Sequence, residues 1–150
     1  MIKIVKANIN DIEKVIFLYN SCFEETYGRS FFKNLLDDFF SFWYILFIDN
    51  KPCGFICGSF IVDETNIITV GVIDEYRRRG FAKLLFNKVF EISASACMKS
   101  VLLEVSVQNK PAMNLYRSLG FEKIGCRKGY YKTKNGLVDA EVYRYILKGS

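Results

Sequence analysis

Arg77-Arg78-Arg79-Gly80-Phe81-Ala82 joins two segments of different periodicity. The segment before it, Ile67-Ile68-Thr69-Val70-Gly71-Val72-Ile73, is apolar and β-branched and reads as a strand. The segment after it, Lys83-Leu84-Leu85-Phe86-Asn87-Lys88-Val89-Phe90-Glu91-Ile92, repeats its apolar residues at helical spacing. A strand, a short basic turn and a helix aim unpaired backbone N–H groups at one point, where the helix dipole adds positive potential. The lack of bulk at Gly80 and Ala82 lets a ligand approach that backbone. The turn therefore predicts a site for a cofactor carrying a pyrophosphate. It lacks the Lys-Ser/Thr pair of a P-loop and the three glycines of a dinucleotide fingerprint. For the residues alone, a basic helix start with a solvated arginine run is the competing reading.

Composition narrows the field. The 150 residues are 51% hydrophobic and 16% aromatic, which predicts one domain over 1–150 with ample material for a core. No apolar run approaches a membrane span, and Met1–Lys6 alternates like a strand rather than opening a signal peptide. Cys22, Cys53, Cys57, Cys97 and Cys126 are scattered without a Cys-x-x-Cys pair, which predicts a reducing, cytoplasmic location. Histidine is absent from the chain. That excludes Ser-His-Asp and Cys-His catalysis and His-ligated metals, and no metal is expected. Any catalysis must use carboxylates, tyrosine, lysine or backbone groups.

The net charge of +5 is unevenly spread: residues 1–75 carry 6 Lys/Arg and 11 Asp/Glu, residues 76–150 carry 15 and 5. The basic half begins at the turn and favours an anionic ligand there. In the acidic half, Glu24-Glu25 and Asp37-Asp38 could face a cationic substrate, or could be solvated surface.

The remaining elements alternate without linker or repeat. Strands are expected at Ile2–Lys6, Phe42–Ile48, Gly54–Val62, Asn66–Ile73, Ser100–Val105, Phe121–Tyr130 and Val138–Leu147. Helices are expected from a capping box at Asn10 and Glu13 to about Phe23, over Phe31–Phe39 after Ser30, from the turn to about Met98, and from Pro111 to about Leu119. The Asp49-Asn50-Lys51-Pro52 and Lys134-Asn135-Gly136 turns predict hairpins. The fold class is mixed α/β, a mostly antiparallel twisted sheet of about seven strands flanked by about four helices.

Arg-x-x-Gly-x-Ala resembles the acetyl-coenzyme A signature of the GCN5-related N-acetyltransferases, the GNAT family. The run from Leu103-Glu104-Val105 through Asn109, Ala112 and Leu115-Tyr116 to Leu119-Gly120-Phe121 is similar to its ribosomal-protein alanine N-acetyltransferases. The tail Arg127…Tyr130-Tyr131…Gly136…Asp139-Ala140 resembles the same subfamily. The likeness covers residue 66 onward. Over residues 1–65 only element order matches, and Cys22-Phe23-Glu24-Glu25-Thr26-Tyr27-Gly28 stands where a Phe-Pro-Trp-Ser stretch is expected.

Glu104 is a lone carboxylate in an apolar strand, whose burial would raise its proton affinity as suits a general base. The residues alone also allow a strand-end Glu that reaches solvent or pairs with an arginine. Tyr116, with Leu115 and Leu119 at helical spacing, is either a core-edge tyrosine or a proton donor to a departing thiolate. The resemblance implies that Glu104 is the base and Tyr116 the acid. It implies that acetyl-CoA is cosubstrate, held by backbone groups of Val70, Gly71 and Val72, by Arg77, Arg78, Arg79, Gly80, Phe81 and Ala82, and by Asn109. An N–H of the first group would stabilise negative charge developing on the acetyl oxygen. The implied acceptor is a free amine, in the first place the N-terminal alanine of a small-subunit ribosomal protein, attacked directly in a ternary complex. Neither DNA nor a membrane is an expected partner. The alternatives are a lysine or small-amine acceptor, or a nonenzymatic basic module that binds RNA or the ribosome.

Overall fold

Alternation along the strands divides the apolar residues between two faces, each covered by its own pair of helices. The structure, a computed structural model, describes residues 1–148. Strands β1 (Ile2–Lys6), β2 (Ser41–Ile48), β3 (Lys51–Ile61), β4 (Glu64–Val72), β5 (Ser100–Ser106), β6 (Glu122–Thr133) and β7 (Gly136–Ile146) form one sheet. Their order is β1-β2-β3-β4-β5-β7-β6, and every pairing is antiparallel except β4 with β5. Helices α1 (Ile12–Cys22) and α2 (Arg29–Asp37) cover one face, α3 (Phe81–Ser95) and α4 (Lys110–Leu119) the other. In β2, Phe42, Tyr44 and Leu46 join the α3/α4 core, while Trp43 and Ile45 join the α1/α2 core. In β5, Val101, Leu103 and Val105 enter the α3/α4 core, so alternation turns Glu104 and Ser106 to the opposite face. Among the described residues no helix is long and apolar enough to cross a membrane.

Several boundaries differ from the sequence reading. The capping box is formed by Asn8 and Asp11 rather than Asn10 and Glu13: the Asn10 N–H donates to Asn8 Oδ1 and the Asn8 N–H to Asp11 Oδ2, both at 2.9 Å. A 3-10 turn, Ile9–Asp11, therefore precedes α1. Helix α2 starts at Arg29 behind Gly28, so Ser30 is not its cap. It stops at Asp37 because Asp38 accepts from the Phe40 N–H at 3.0 Å and from Ser41 Oγ at 2.8 Å, a turn that competes with the helix. The first hairpin turns on Asp49-Asn50 alone, with φ of 49° and 68°, so Lys51 and Pro52 lie in β3. A register irregularity at Phe47 accommodates the missing donor of Pro52.

The feature that makes room for a site is where β4 and β5 stop pairing. Their ladder runs for three pairs, Glu64 with Ser100, Thr65 with Val101 and Asn66 with Leu102. Directly beyond it, Cys57 pairs with Thr69 but Gly58 with Ile67, leaving Ile68 as an extra residue. A bulge of this kind bends its strand. Gly58 is required opposite it, since a Cβ there would lie 2.3 Å from the Asn66 carbonyl oxygen. The stretch Ile67–Val72 thus keeps β3 on one edge and has no strand pair on the other.

Candidate active site

The Arg77–Ala82 turn has the backbone of an anion cradle. Arg78 has φ +64° and Gly80 φ +81°, and left-handed residues alternating with ordinary ones turn successive N–H groups inward. Gly80 is the N-cap of α3, whose first turn receives no side-chain cap. A Cβ on Gly80 would have no atom within 4 Å, so the space in front of the turn is open. The three arginines are not equivalent. Arg77 donates through Nε to the Val72 carbonyl at 2.8 Å, pairs with Asp74 at 2.5 Å, and its own N–H donates to the Asp74 carbonyl at 3.2 Å. It braces the turn, whereas Arg78 is exposed and Arg79 lies over the Tyr76 ring at 5.8 Å.

Gly71 serves packing rather than the opening between the strands. A Cβ there would sit 2.8 Å from the Phe55 ring and 2.9 Å from Cys22 Sγ, so only glycine lets α1 settle on β4. The cavity of about 510 Å³ next to it is lined on the β4 side by Ile67–Val70 and on the β5 side by Leu103–Ser106. Glu104, Asn109, Tyr116 and Tyr131 share that lining. Asn109 is also the N-cap of α4, its Oδ1 accepting from the Ala112 N–H at 3.2 Å.

Glu104 and Tyr116 line one cavity from opposite faces of the sheet, where β4 and β5 have parted. Glu104 is not sealed among apolar groups as the strand pattern suggested. Its side chain is 28% exposed and pairs with Arg127 at 3.2 Å. The reason is that it faces away from the α3/α4 core, toward the strand β6 that carries Arg127. Tyr116 is 8% exposed, edge-on to Phe86 at 5.5 Å and near Phe121 and Tyr143. Burial, and then proximity to the Tyr131 phenol, push its pKa up from 10.0 to about 12. The Tyr131 phenol is also pushed up, by burial, then by the Glu104 carboxylate and Tyr130. Glu104, Tyr131 and Tyr116 are therefore electrostatic neighbours.

Residues outside the recognised motifs build the other wall. Tyr19, Phe23, Tyr27 and Phe31 contribute aromatic surface and Glu24 and Glu25 carboxylates. Tyr19 is pushed up to about 12 by burial, then by Tyr27 and Glu25. The divergent stretch after α1 thus lies in the cavity wall. The second acidic cluster does not: Asp37 pairs with Lys33 and Asp38 is spent on its turn. Tyr131 and Arg127 were visible as motif letters, but their place beside Glu104 depends on strand order. Among the described residues no group of three or more His, Cys, Asp or Glu is placed to hold a metal.

A turn with the backbone of an anion cradle, an unpaired strand edge, and a carboxylate and a phenol lining one cavity suit acyl transfer from a thioester carried on a nucleotide. The family model described as acetyltransferase (GNAT) matches residues 12–121. The chain belongs to the GNAT acetyltransferase family. It is 32% identical over 130 residues to a Bacillus subtilis protein provisionally assigned as a ribosomal protein bS18-alanine N-acetyltransferase, covering 85% of each chain. It is 28% identical over 138 residues to the N-alpha-acetyltransferase of Saccharolobus solfataricus, covering 83% of each. The crystal structure of the Escherichia coli ribosomal-protein-S18-alanine N-acetyltransferase shares its fold with a TM-score of 0.92 at 21% identity, covering 100% of this chain and 96% of that one. The protein is an acetyl-CoA-dependent N-acetyltransferase, which sets aside the nonenzymatic binding module. The residues present fit that cosubstrate, since a turn open at Gly80 and a helix start without a side-chain cap suit a pyrophosphate and an unpaired strand edge suits an amide-bearing arm.

Proposed function

We propose that this enzyme acetylates the N-terminal α-amine of a protein, and specifically the N-terminal alanine of a small-subunit ribosomal protein, in the cytoplasm. The observation that carries the reading is the cavity in which Glu104 faces an acidic and aromatic wall while Tyr116 approaches from the α4 side. Free, scattered cysteines accord with the compartment. The Bacillus relative's provisional assignment accords with the acceptor.

Acetyl-CoA, when bound, supplies an acetyl carbon activated as a thioester, and its C–S bond is exchanged for the new C–N bond. The chain's own residues do the rest. Phe81 and Ala82 N–H groups and the exposed Arg78 and Arg79 would hold the phosphates, with Arg77 bracing the turn behind them. The free edge of Val70–Val72 would take the pantetheine amides, with Asn109 beside it. An α-ammonium has a pKa of about 8 and must lose a proton before its nitrogen can attack. Glu104 takes that proton, and Glu24 and Glu25 attract the cation to the cavity. Tyr116, held at about 12, is protonated throughout the physiological range and offers its O–H to the departing sulfur. Relative to a thiol of pKa about 8.5, a phenol near 12 is the weaker acid by some ~3.5 units, or about 5 kcal/mol. Tyr116 therefore acts first as a hydrogen-bond donor to the developing thiolate; of the two protons that nitrogen loses in becoming an amide, one goes to Glu104 and the other balances the sulfur, which leaves as the thiol. No cysteine lines the cavity, which favours direct attack over an acetyl-cysteine route.

The reading is tested with an Ala-starting ribosomal peptide, the same peptide with its N-terminus blocked and lysines free, and polyamines. Preferred turnover of the first is expected. Preference for the blocked peptide or for polyamines refutes the acceptor assignment.

A further inference from the structure

We propose that Arg127 is a positioning residue for Glu104, carried by a tail segment built for that purpose. The inference rests on reading Glu104 as the proton acceptor. A glutamate at a strand edge has several rotamers, and a base needs one aim. Arg127 Nη1 lies 3.2 Å from Glu104 Oε1 and 3.4 Å from Oε2, so one nitrogen spans both oxygens. The guanidinium also lies over Tyr130, its Cζ 5.1 Å from the ring centroid, which restrains it from a second direction.

The reach is made possible by the sheet. Arg127 stands on β6 and Glu104 on β5, with β7 between them. The β7 residue paired with Arg127 is Ala140, which is also paired with Ser106 of β5. Paired residues share a face, so Arg127, Ala140 and Ser106 stand in line on the face of Glu104; Glu104 is paired with Val142 two residues along β7, and Arg127 reaches it diagonally past the Ala140 methyl. Beyond Arg127 the β6–β7 ladder is interrupted and resumes at Tyr131 with Val138. Within the interruption Gly129 takes φ +62°, and its N–H donates to Asp139 Oδ1 at 2.8 Å. That clamp fixes the bulged segment, which presents Arg127 to the carboxylate at one end and Tyr131 to the cavity at the other. Arg127, Tyr130, Asp139 and Ala140 line neither the cavity nor the phosphate turn. Aiming the carboxylate gives these four motif residues a common role.

The pair is too open to be a stability device: Arg127 is 56% exposed, and exposed ion pairs contribute little to folding. Its effect belongs in turnover. The experiment measures kcat and KM for the full chain and for Arg127→Met, Arg127→Lys, Glu104→Gln and the Arg127→Met/Glu104→Gln double variant, with acetyl-CoA and an Ala-starting peptide. Arg127→Met is expected to lower kcat about tenfold, a fraction of what acid–base catalysis provides, with KM for acetyl-CoA and the unfolding midpoint unchanged. Arg127→Lys is expected to fall between the parent and Arg127→Met, because an ammonium keeps a charged contact to the carboxylate but loses the guanidinium plane over Tyr130. In the Glu104→Gln background, Arg127→Met should change kcat by less than about twofold, since it acts through the carboxylate. An equal loss in both backgrounds, or a parental kcat in Arg127→Met while Glu104→Gln is impaired, overturns the inference. A parental kcat in Glu104→Gln overturns the base assignment instead, and this inference with it.

Discussion

Replacing Gly80 separates the cost of a turn from its use. Gly80 has φ +81°, and an L-residue held in the left-handed region costs about 1–2 kcal/mol. Nothing lies within 4 Å of a Cβ built there, so strain is the whole penalty in the free protein. For a chain of this size each kcal/mol lowers the melting temperature by about 2–4 °C, so Gly80→Ala should melt about 2–8 °C early. Gly80→Asp adds a charge in the open space before the α3 N-terminus. At ~4 Å from a phosphate and an effective dielectric of ~20, the repulsion is about 4 kcal/mol, close to a thousandfold in Kd. Gly136 is the control: it has φ +113°, also has nothing within 4 Å, and lies in the β6–β7 hairpin. Gly136→Asp should lose similar stability and bind acetyl-CoA like the parent. Calorimetric titration with acetyl-CoA, beside thermal melts of each variant, reads both quantities. A folded Gly80→Asp with the parental Kd, or a Gly136→Asp weakened as much as Gly80→Asp, refutes the cradle.

Tyr116→Phe should lower kcat about a hundredfold with acetyl-CoA affinity unchanged, and a parental kcat with chemistry rate-limiting excludes Tyr116 as donor. Tyr116 also links stability to alkaline pH. Its pKa is raised in the fold from 10.0 to about 12, so its contribution is complete below pH 10 and is lost as pH rises through 12. That amounts to about 3 kcal/mol, so between pH 10 and 12 the stability of the parent should fall relative to that of Tyr116→Phe, read from urea midpoints; parallel curves contradict it. Gly71→Ala should destabilise by about 1–3 kcal/mol through its contacts with Phe55 and Cys22, and an unchanged melting temperature counts against the packing argument.

What the sequence disclosed was set by how local the signal is. The switch from β-branched to helical periodicity around Arg77–Ala82 is local, and the structure places strand, turn and helix there. Tyr116 and Asn109 are likewise tied to one short helix, α4. The partner of Glu104 is not local: it depends on β7 lying between β5 and β6 and on the small Ala140 in the path. The opening between β4 and β5 depends on a ladder that ends at Asn66 and a bulge at Ile68, which alternation alone does not mark. The capping box was misplaced because Asn8/Asp11 and Asn10/Glu13 satisfy the same spacing, and only the backbone path from β1 distinguishes them. Glu24-Glu25 and Asp37-Asp38 are alike as letters, yet only the first pair lies in the cavity wall.

The most direct test of the account is the site of acetylation on a peptide that offers both kinds of amine. Purified enzyme with acetyl-CoA and an Ala-starting ribosomal peptide containing internal lysines is followed by fragment mass spectrometry. The account predicts acetyl on the N-terminal nitrogen alone, and transfer slowed about a hundredfold or more when Glu104→Gln replaces the parent. Acetyl on lysine, or an α-amine left untouched, contradicts it.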